Sequence, residues 1–223
     1  MDKTMKKLMT IVLSLALALL GASALAEGDS PVLDAEQLDA IFTSMLSGLI
    51  DLSRYEQGYS ELTSDYNLEK PINKAEVDGV TFELGMSFEE VLAAGLSAPD
   101  GFADEEGYER LSTLADFRTE AGNKVQLGFS VANDGDKLSN GTMGRIRRKA
   151  YYKNNAADVV IEGISVGSDI STLVGTLGSP TRIRLDGQYI SLKYEFWDGN
   201  VYDALWFWIN VDGKVAGLGV EGD

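Results

Sequence analysis

Apolar side chains recur at three- and four-residue steps after Asp34, as far as Leu52. That spacing places them on one face of a helix, so it predicts an amphipathic helix of roughly 20 residues that ends near Gly58. The stretch over residues 60–73 is polar and contains a proline, which is typical of a linker. Helix and linker together form a predicted N-terminal region over residues 27–75.

From about Glu76 the pattern changes to short strands and short helices, and it occurs twice. In the first copy, Ser87 and Glu90 have the spacing of a capping box that opens a helix. In the second copy, a helix begins at Ser168 or Asp169, and the glycine and proline of Leu177-Gly178-Ser179-Pro180 end it.

Alternating apolar and polar residues after each helix predict antiparallel strands. Residues 188–196 and 204–211 each place large apolar side chains on one face. Asp212-Gly213 is a strong signal for a hairpin turn into a strand over residues 215–220. Residues 125–131 show the same alternation in the first copy.

These elements predict an α+β protein. Two tandem repeats, over residues 76–155 and 156–223, each place one helix on one face of an antiparallel sheet. The amphipathic N-terminal helix precedes both repeats.

Residues 1–26 have the three parts of a secretory signal peptide in the usual order. Three lysines precede an apolar run over residues 8–20, and Ala24-Leu25-Ala26 is a small-x-small cleavage site. We therefore expect cleavage before Glu27 and a secreted or cell-surface protein. The apolar run is shorter than the roughly 20 residues of a membrane helix, and we expect no membrane span in the mature chain. An uncleaved N-terminal anchor is the alternative.

The chain of 223 residues has 35 acidic and 19 basic side chains, a net charge of −16, and neither cysteine nor histidine. The acidic balance argues against a nucleic-acid partner, which needs a basic footprint. The lack of both residue types excludes disulfides, thiolate nucleophiles, Cys/His zinc sites and histidine general bases. We expect no cofactor and no metal.

The segment Gly163–Gly167 matches the G-x-S-x-G pattern of serine hydrolases, with Ser165 at its centre. Because no histidine can serve as its base, we expect a strand-to-helix turn with glycines at special backbone angles instead. Carboxylates are numerous, but no spacing selects a pair for glycoside hydrolysis. The loops at residues 133–136 and 198–200 lack the twelve-residue calcium pattern and are typical of tight hairpin loops. The sequence therefore favours a protein that is not an enzyme.

The strand over residues 204–211 carries two tryptophans that alternate with its core-facing side chains. Trp206 and Trp208 should therefore point away from the core, together with Tyr189 and Lys193 of the partner strand. The following strand would add three residues to the same face: Val215, Gly217 and Gly219. Such a face is a candidate for protein or sugar contact, because Trp and Tyr anchor interfaces. The alternatives are cross-strand packing over the glycines and burial against the N-terminal helix or the first repeat.

The corresponding face of the first repeat is basic. Arg145 and Arg147 alternate on one strand, and three further cations follow closely: Arg148, Lys149 and Lys153. In an acidic protein this island could steer an acidic partner. Alternatively, it pairs with the protein's own carboxylates.

The second repeat combines a helix ending in Leu177-Gly178-Ser179-Pro180 with Tyr194, Trp206-Phe207-Trp208-Ile209 and Asp212-Gly213-Lys214-Val215. This combination of motifs resembles the repeat of the β-lactamase-inhibitor-protein-like fold. It also resembles the repeat of the outer-membrane assembly lipoproteins of the SmpA/OmlA type. In the first repeat, residues 85–91 match the helix opening, so the resemblance covers about residues 76–223. It implies a non-catalytic module that binds protein through the open face of its sheet. The lipoprotein cysteine is missing, so outer-membrane anchoring is not implied.

The sequence thus predicts a secreted, non-catalytic protein-binding module, inhibitor-like or envelope-assembly-like, whose partner is a protein. The predicted contact residues are Trp206, Trp208, Tyr189 and Lys193, followed by Arg145 and Arg147. Binding of carbohydrate or cell-wall glycan through the same face is the alternative. A carboxylate-based glycan hydrolase is a third hypothesis.

Overall fold

A computed structural model describes four parts of the chain, residues 33–55, 68–109, 111–151 and 154–222. The predicted leader and its cleavage site lie outside the described residues, as do Lys153 and the predicted end of the N-terminal helix. Within the described ranges, no helix is both long and apolar enough to cross a membrane.

The first helix, α1 (Ala35–Leu46), begins where the sequence predicts and ends earlier. The Asp34 carboxylate accepts a hydrogen bond from the Gln37 backbone at 2.9 Å, and the Gln37 side chain accepts one from the Asp34 backbone at 3.0 Å. The predicted length is wrong, since α1 has 12 residues. Ser47 and Gly48 follow it, and both have weak helix propensity.

Ten strands, two further α-helices and three single turns of 3₁₀ helix, at residues 52–54, 102–104 and 138–140, complete the described elements. The helices are α2 (Phe88–Ala93) and α3 (Ile170–Leu177). The strands are β1 (Lys74–Val77), β2 (Val80–Glu83), β3 (Thr113–Arg118), β4 (Lys124–Ser130), β5 (Thr142–Arg148), β6 (Val159–Val160), β7 (Arg182–Asp186), β8 (Tyr189–Trp197), β9 (Tyr202–Ile209) and β10 (Val215–Gly222). They form two antiparallel sheets, one ordered β2-β1-β6 and one ordered β3-β4-β5-β10-β9-β8-β7.

The predicted architecture of an N-terminal helix followed by two helix-on-sheet repeats is wrong, because the molecule is mostly β and both predicted repeats share their sheets. β5 pairs with β10 across the predicted boundary, and β6 pairs with β1. The helices are short, with six residues in α2 and eight in α3. The alternation within a segment predicts a strand but does not say which strand it pairs with. Here each half covers a sheet edge of the other, which an isolated repeat would leave exposed.

Three of the strands, β1, β3 and β7, are additional to those that the sequence predicted. β1 and β2 are joined by Asp78 and Gly79, which have φ angles of 47° and 82°. Two successive positive φ angles are typical of a type I′ hairpin turn. β7 is joined to β8 by Gly187, whose φ is 61°.

The predicted start of α2 and the predicted start and end of α3 are confirmed. Ser87 and Glu90 form the capping box of α2, with the Glu90 carboxylate accepting from the Ser87 backbone at 2.8 Å. α3 begins after Asp169 and ends at Gly178, which has a φ of 78°. The Asp169 carboxylate makes an ion pair of 2.7 Å with Lys214 instead of capping α3.

One face of the seven-stranded sheet forms the core together with the three helices. Phe88 of α2 packs on Phe117 of β3 and Phe129 of β4, with ring centres 6.2 and 5.4 Å away. Leu38, Phe42 and Leu46 of α1 and Ile170 and Leu173 of α3 belong to the same buried cluster. Near the β9–β10 turn, a Cβ at Gly213 would touch Met45 of α1 and Ile170 of α3.

Candidate functional site

The pairing of β5 with β10 brings the predicted contact residues of both halves onto one surface. Gly219 of β10 lies opposite Arg147 of β5 on one side and opposite Trp206 of β9 on the other. Trp206 in turn lies opposite Lys193 of β8. Because strands alternate their faces, these residues share the side of the sheet that faces away from the core. We call this side the open face.

The centre of the open face is a row of two aromatic rings between two cations. Trp206 and Trp208 stack with ring centres 6.3 Å apart and an interplanar angle of 15°. The Arg147 guanidinium carbon lies 4.1 Å from the centre of the Trp208 ring, and Lys193 Nζ lies 4.6 Å from that of Trp206. Each cation–ring contact is worth about 0.5–2 kcal/mol, depending on burial. The stacking and the two cation contacts therefore restrain both indoles.

The two tryptophans differ in exposure. Trp208 is only 7 % exposed, and its Nε1 donates a hydrogen bond of 2.9 Å to the Asp186 carboxylate. Arg147, from the first predicted repeat, lies over its ring. Trp206 is half-buried. The structure thus places only one of the two predicted aromatic anchors at the surface, and the other beneath an arginine.

Lys193 contacts the Trp206 ring and is itself buried. Its side chain is 9 % exposed, and Nζ lies 2.6 Å from the Tyr202 hydroxyl and 2.9 Å from the Glu195 carboxylate. The Tyr202 hydroxyl donates a further hydrogen bond of 2.7 Å to Glu195. Burial alone would raise the pKa of Glu195, but the hydrogen bonds from Lys193 and Tyr202 outweigh it and lower the pKa. Lys193 is therefore the ion-pair partner of the half-buried Glu195.

Of two further residues that the sequence assigned to this face, Tyr189 lies on it and Val215 does not. Tyr189 begins β8 opposite Asp186, and alternation along β8 puts it on the same side as Ser191 and Lys193. It is half-buried and lies outside the cavity described below. Val215 is 1 % exposed and belongs to the core. The prediction for Val215 is wrong because β10 has a bulge between Val215 and Gly217, which shifts the alternation of faces by one residue.

A cavity of about 390 Å³ opens on this surface, and we call it the open-face cavity. Its walls include the rings of Trp206 and Trp208, and Gly219 and Ser191 also line it. The charged side chains around it are Arg145, Arg147, Arg184, Asp186 and Glu221. Small-ligand pockets commonly enclose roughly 300–1,000 Å³, so the open-face cavity is large enough for a side chain or a small group.

Three of these charged residues, Arg184, Asp186 and Glu221, are absent from the predicted contact set. Arg184 and Asp186 belong to β7, a strand that the sequence analysis did not predict. The alternation in Arg182-Ile183-Arg184-Leu185, followed by the turn signal Asp186-Gly187, is a pattern that could have identified this strand. Glu221 enters the cavity through the pairing of β10 with β5, which puts it opposite Arg145.

The charges around the open-face cavity are unbalanced. Arg145 makes an ion pair of 2.6 Å with Glu221. Arg147 contacts the Trp208 ring, and no carboxylate of the described residues lies within ion-pair distance of it. Burial, and next the positive charge of Arg145, lower the pKa of Arg147. The Nε atoms of Arg145 and Arg147 are buried donors without an acceptor. Three guanidinium groups thus face two carboxylates.

The remaining candidate segments form local structure. Residues 161–164 form a tight turn in which Gly163 has a φ of 78°, and Gly167 has a φ of 93°. The Ser165 backbone donates to the Ser168 hydroxyl at 3.1 Å. The predicted turn with special glycine angles is confirmed. Across the described ranges, no cluster of three or more acidic side chains is placed to hold a metal ion.

Comparison with known proteins leaves the chain without a match among family models, curated proteins or solved structures. The resemblance to the β-lactamase-inhibitor-protein-like and SmpA/OmlA-type repeats therefore rests on the residues quoted for it and stays a prediction.

Proposed function

We propose that this protein is a secreted, non-catalytic module that binds an acidic segment of a partner protein on its open face. The observation that carries this proposal is the row Arg147–Trp208–Trp206–Lys193 beside a cavity with one positive charge in excess. Export rests on the leader pattern of residues 1–26.

Charge supports an acidic partner. The whole chain has a net charge of −16, yet guanidinium groups outnumber carboxylates around the open-face cavity. Complementary potentials orient a partner and suppress wrong contacts more than they add affinity. An acidic segment is repelled by the net charge of this protein and attracted by the arginines of the open-face cavity.

The fixed position of Trp206 supports binding by an aromatic anchor. Interface energy is concentrated in a few side chains, and tryptophan and arginine are enriched among them. Trp206 is already ordered by Trp208 and Lys193, so little side-chain entropy is lost when a partner covers it.

The proposal is tested by replacing the exposed anchor. The protein, expressed with its own leader, is used to capture partners from the producing cells' envelope and medium, and the Kd of each captured protein is measured. We expect Trp206→Ala to weaken the specific partner by about 30-fold or more, as truncation of an anchor worth about 2 kcal/mol requires.

Trp197→Ala is the matched control. Trp197 ends β8 on the same face and is 52 % exposed. Its removal should leave the Kd unchanged while the circular dichroism spectra of all three proteins agree. Equal affinities for the wild type and Trp206→Ala contradict the proposal.

Glycan binding is the second candidate, because a half-buried indole among polar groups is also suited to stack on a sugar ring. Soluble cell-wall oligosaccharides distinguish the two functions. A saturable change in tryptophan fluorescence with neutral oligosaccharides, abolished in Trp206→Ala, would replace the protein partner by a glycan.

A further inference from the structure

We infer that the open-face cavity binds a single carboxylate group, carried by a Glu or Asp side chain of the partner. This inference rests on the proposed function, because the carboxylate would anchor the acidic segment that the open face receives.

The first argument is the charge balance of the cavity wall. Glu221 neutralises Arg145 at 2.6 Å, and the Asp186 carboxylate accepts from Trp208 Nε1 at 2.9 Å. Arg147 and Arg184 have no ion pair with any described residue. The three arginines that line the cavity outnumber its two carboxylates, Asp186 and Glu221, by one. A single carboxylate from a partner would neutralise this excess positive charge.

The second argument is the chemistry of the guanidinium groups. Arg147 contacts the Trp208 ring and makes no ion pair with a described residue. Its Nε is shielded from solvent, so its terminal nitrogens are the donors that a ligand can reach. A carboxylate supplies acceptor oxygens in the geometry that guanidinium groups recognise.

The third argument selects a carboxylate over a more highly charged group. Asp186 and Glu221 also line the cavity, and they repel a dianion such as phosphate more strongly than a monoanion. The half-buried ring of Trp206 forms an adjoining wall and suits an apolar or aromatic neighbour of the acidic residue.

A pair of blocked peptides tests the inference directly. Acetyl-Gly-Phe-Glu-Gly-amide and the same peptide with Gln in place of Glu are titrated into the protein, and tryptophan fluorescence and heat are recorded. We expect saturable binding of the Glu peptide and binding of the Gln peptide that is weaker by tenfold or more. Loss of one charge-assisted hydrogen bond produces a change of about that size.

Three variants of equal chemistry identify the site. Arg147→Gln and Arg184→Gln should each weaken the Glu peptide about tenfold and leave the Gln peptide unchanged. Arg118→Gln is the control, since Arg118 is an exposed arginine of the edge strand β3 whose guanidinium donates to the Gly122 carbonyl. Arg184 lies exposed on the other edge strand, so its replacement is informative even where Arg147→Gln fails to fold.

Each remaining outcome overturns the inference. Equal binding of both peptides, no saturable response to the Glu peptide, or unchanged affinity in both arginine variants excludes a carboxylate site. Inorganic phosphate and oligogalacturonate are titrated in the same way, and a saturable response to either of them without a response to the Glu peptide also excludes it. If the Trp206-dependent capture persists in these cases, the carboxylate inference fails alone. If that capture is also lost, the open-face function fails with it.

Discussion

Gly219 shows how closely the two strands at the centre of the open face approach. A Cβ at this position would lie 2.8 Å from the Ile146 carbonyl oxygen and 3.3 Å from the Cα of Arg147. We expect Gly219→Ala to push β10 away from β5, to displace Arg147 from Trp208, and to lower the free energy of unfolding by about 1–3 kcal/mol. Urea denaturation followed by tryptophan fluorescence measures this change.

Gly175→Ala is the control for that substitution. Gly175 lies inside α3, and a Cβ there would meet no atom within 4 Å. The same change should therefore stabilise the protein by about 0.5–1 kcal/mol, because alanine favours the helix over glycine. If both variants have the same stability, the close approach at Gly219 is not a constraint.

At the scale of single residues, alternation along β9 was enough to place Trp206 and Trp208 on the open face. The core-facing residues of this strand are Leu205, Phe207 and Ile209. Their different exposures could not be predicted in the same way. Trp208 is covered by Arg147 and bonded to Asp186, which belong to β5 and β7. Neither contact follows from the spacing of residues along β9.

Among the elements, the loop after α3 is held by two buried phenols. Tyr55 donates to the Pro180 carbonyl at 2.7 Å, and Tyr194 donates to the Gly178 carbonyl at 3.2 Å. Burial raises the pKa of both hydroxyls above the ordinary value of about 10. The folded state thus retains these protons where the unfolded chain releases them.

This gives a definite sign for the alkaline dependence of stability. The stabilisation is fully present below about pH 10 and is lost as the pH rises above it, because only the unfolded chain then gains phenolate. Tm should therefore fall steeply above about pH 10. Tyr55→Phe should lower Tm at neutral pH, where it removes a buried hydrogen bond, and should make the alkaline fall shallower.

Tyr108→Phe is the matched control, since Tyr108 is 55 % exposed. Its alkaline profile should match the wild type. An identical profile for Tyr55→Phe would contradict the contribution of the buried phenol.

The sequence predicted helix ends well where one residue type strongly favours that position, as serine and aspartate do at helix starts and glycine at helix ends. The capping residues of α1 and α2, and the glycine that ends α3, are such cases. β7 was missed because it is an edge strand with exposed charges at Arg182, Arg184 and Asp186, and only Ile183 is fully buried. A short strand with one buried side chain leaves a weak hydrophobic pattern.

At the scale of the whole molecule, the β5–β10 pairing makes the two halves one folding unit. Ile146 and Val220 lie opposite each other across it, and both are almost fully buried. We expect Ile146→Ala to lower the free energy of unfolding by about 2–5 kcal/mol, as for other buried aliphatic residues.

The unfolding should remain a single transition. Tryptophan fluorescence reports only residues 197–208, whereas far-ultraviolet circular dichroism reports both halves. The two signals should give the same midpoint in the wild type and in Ile146→Ala. A tryptophan signal that stays native while half of the dichroism is lost would show two independent units.

The overall architecture could not be predicted from the sequence pattern, because the pairing of β5 with β10 joins segments that are far apart in the chain. Alternation in residues 125–131 and 188–211 predicts strands. The register between β5 and β10, however, depends on contacts between segments that are distant in the sequence. The bulge at Val215 also depends on its neighbours, which include β9 and the turn at Gly213. The arginine and tryptophan surfaces were therefore predicted separately, although they share one face of the sheet.

The central position of β10 has a consequence for biosynthesis. The ribosome synthesises β5, with Arg145, Arg147 and Arg148, well before β10. One edge of β5 therefore stays unpaired until β10 has been synthesised. Charged side chains on an unpaired strand disfavour its pairing with another chain, and these arginines place such charges on β5. The cavity between Arg147 and Trp206 comes into existence only when β10 is inserted. On the function proposed above, a chain that lacks β10 has no binding surface, so partner binding would require that synthesis and folding are complete.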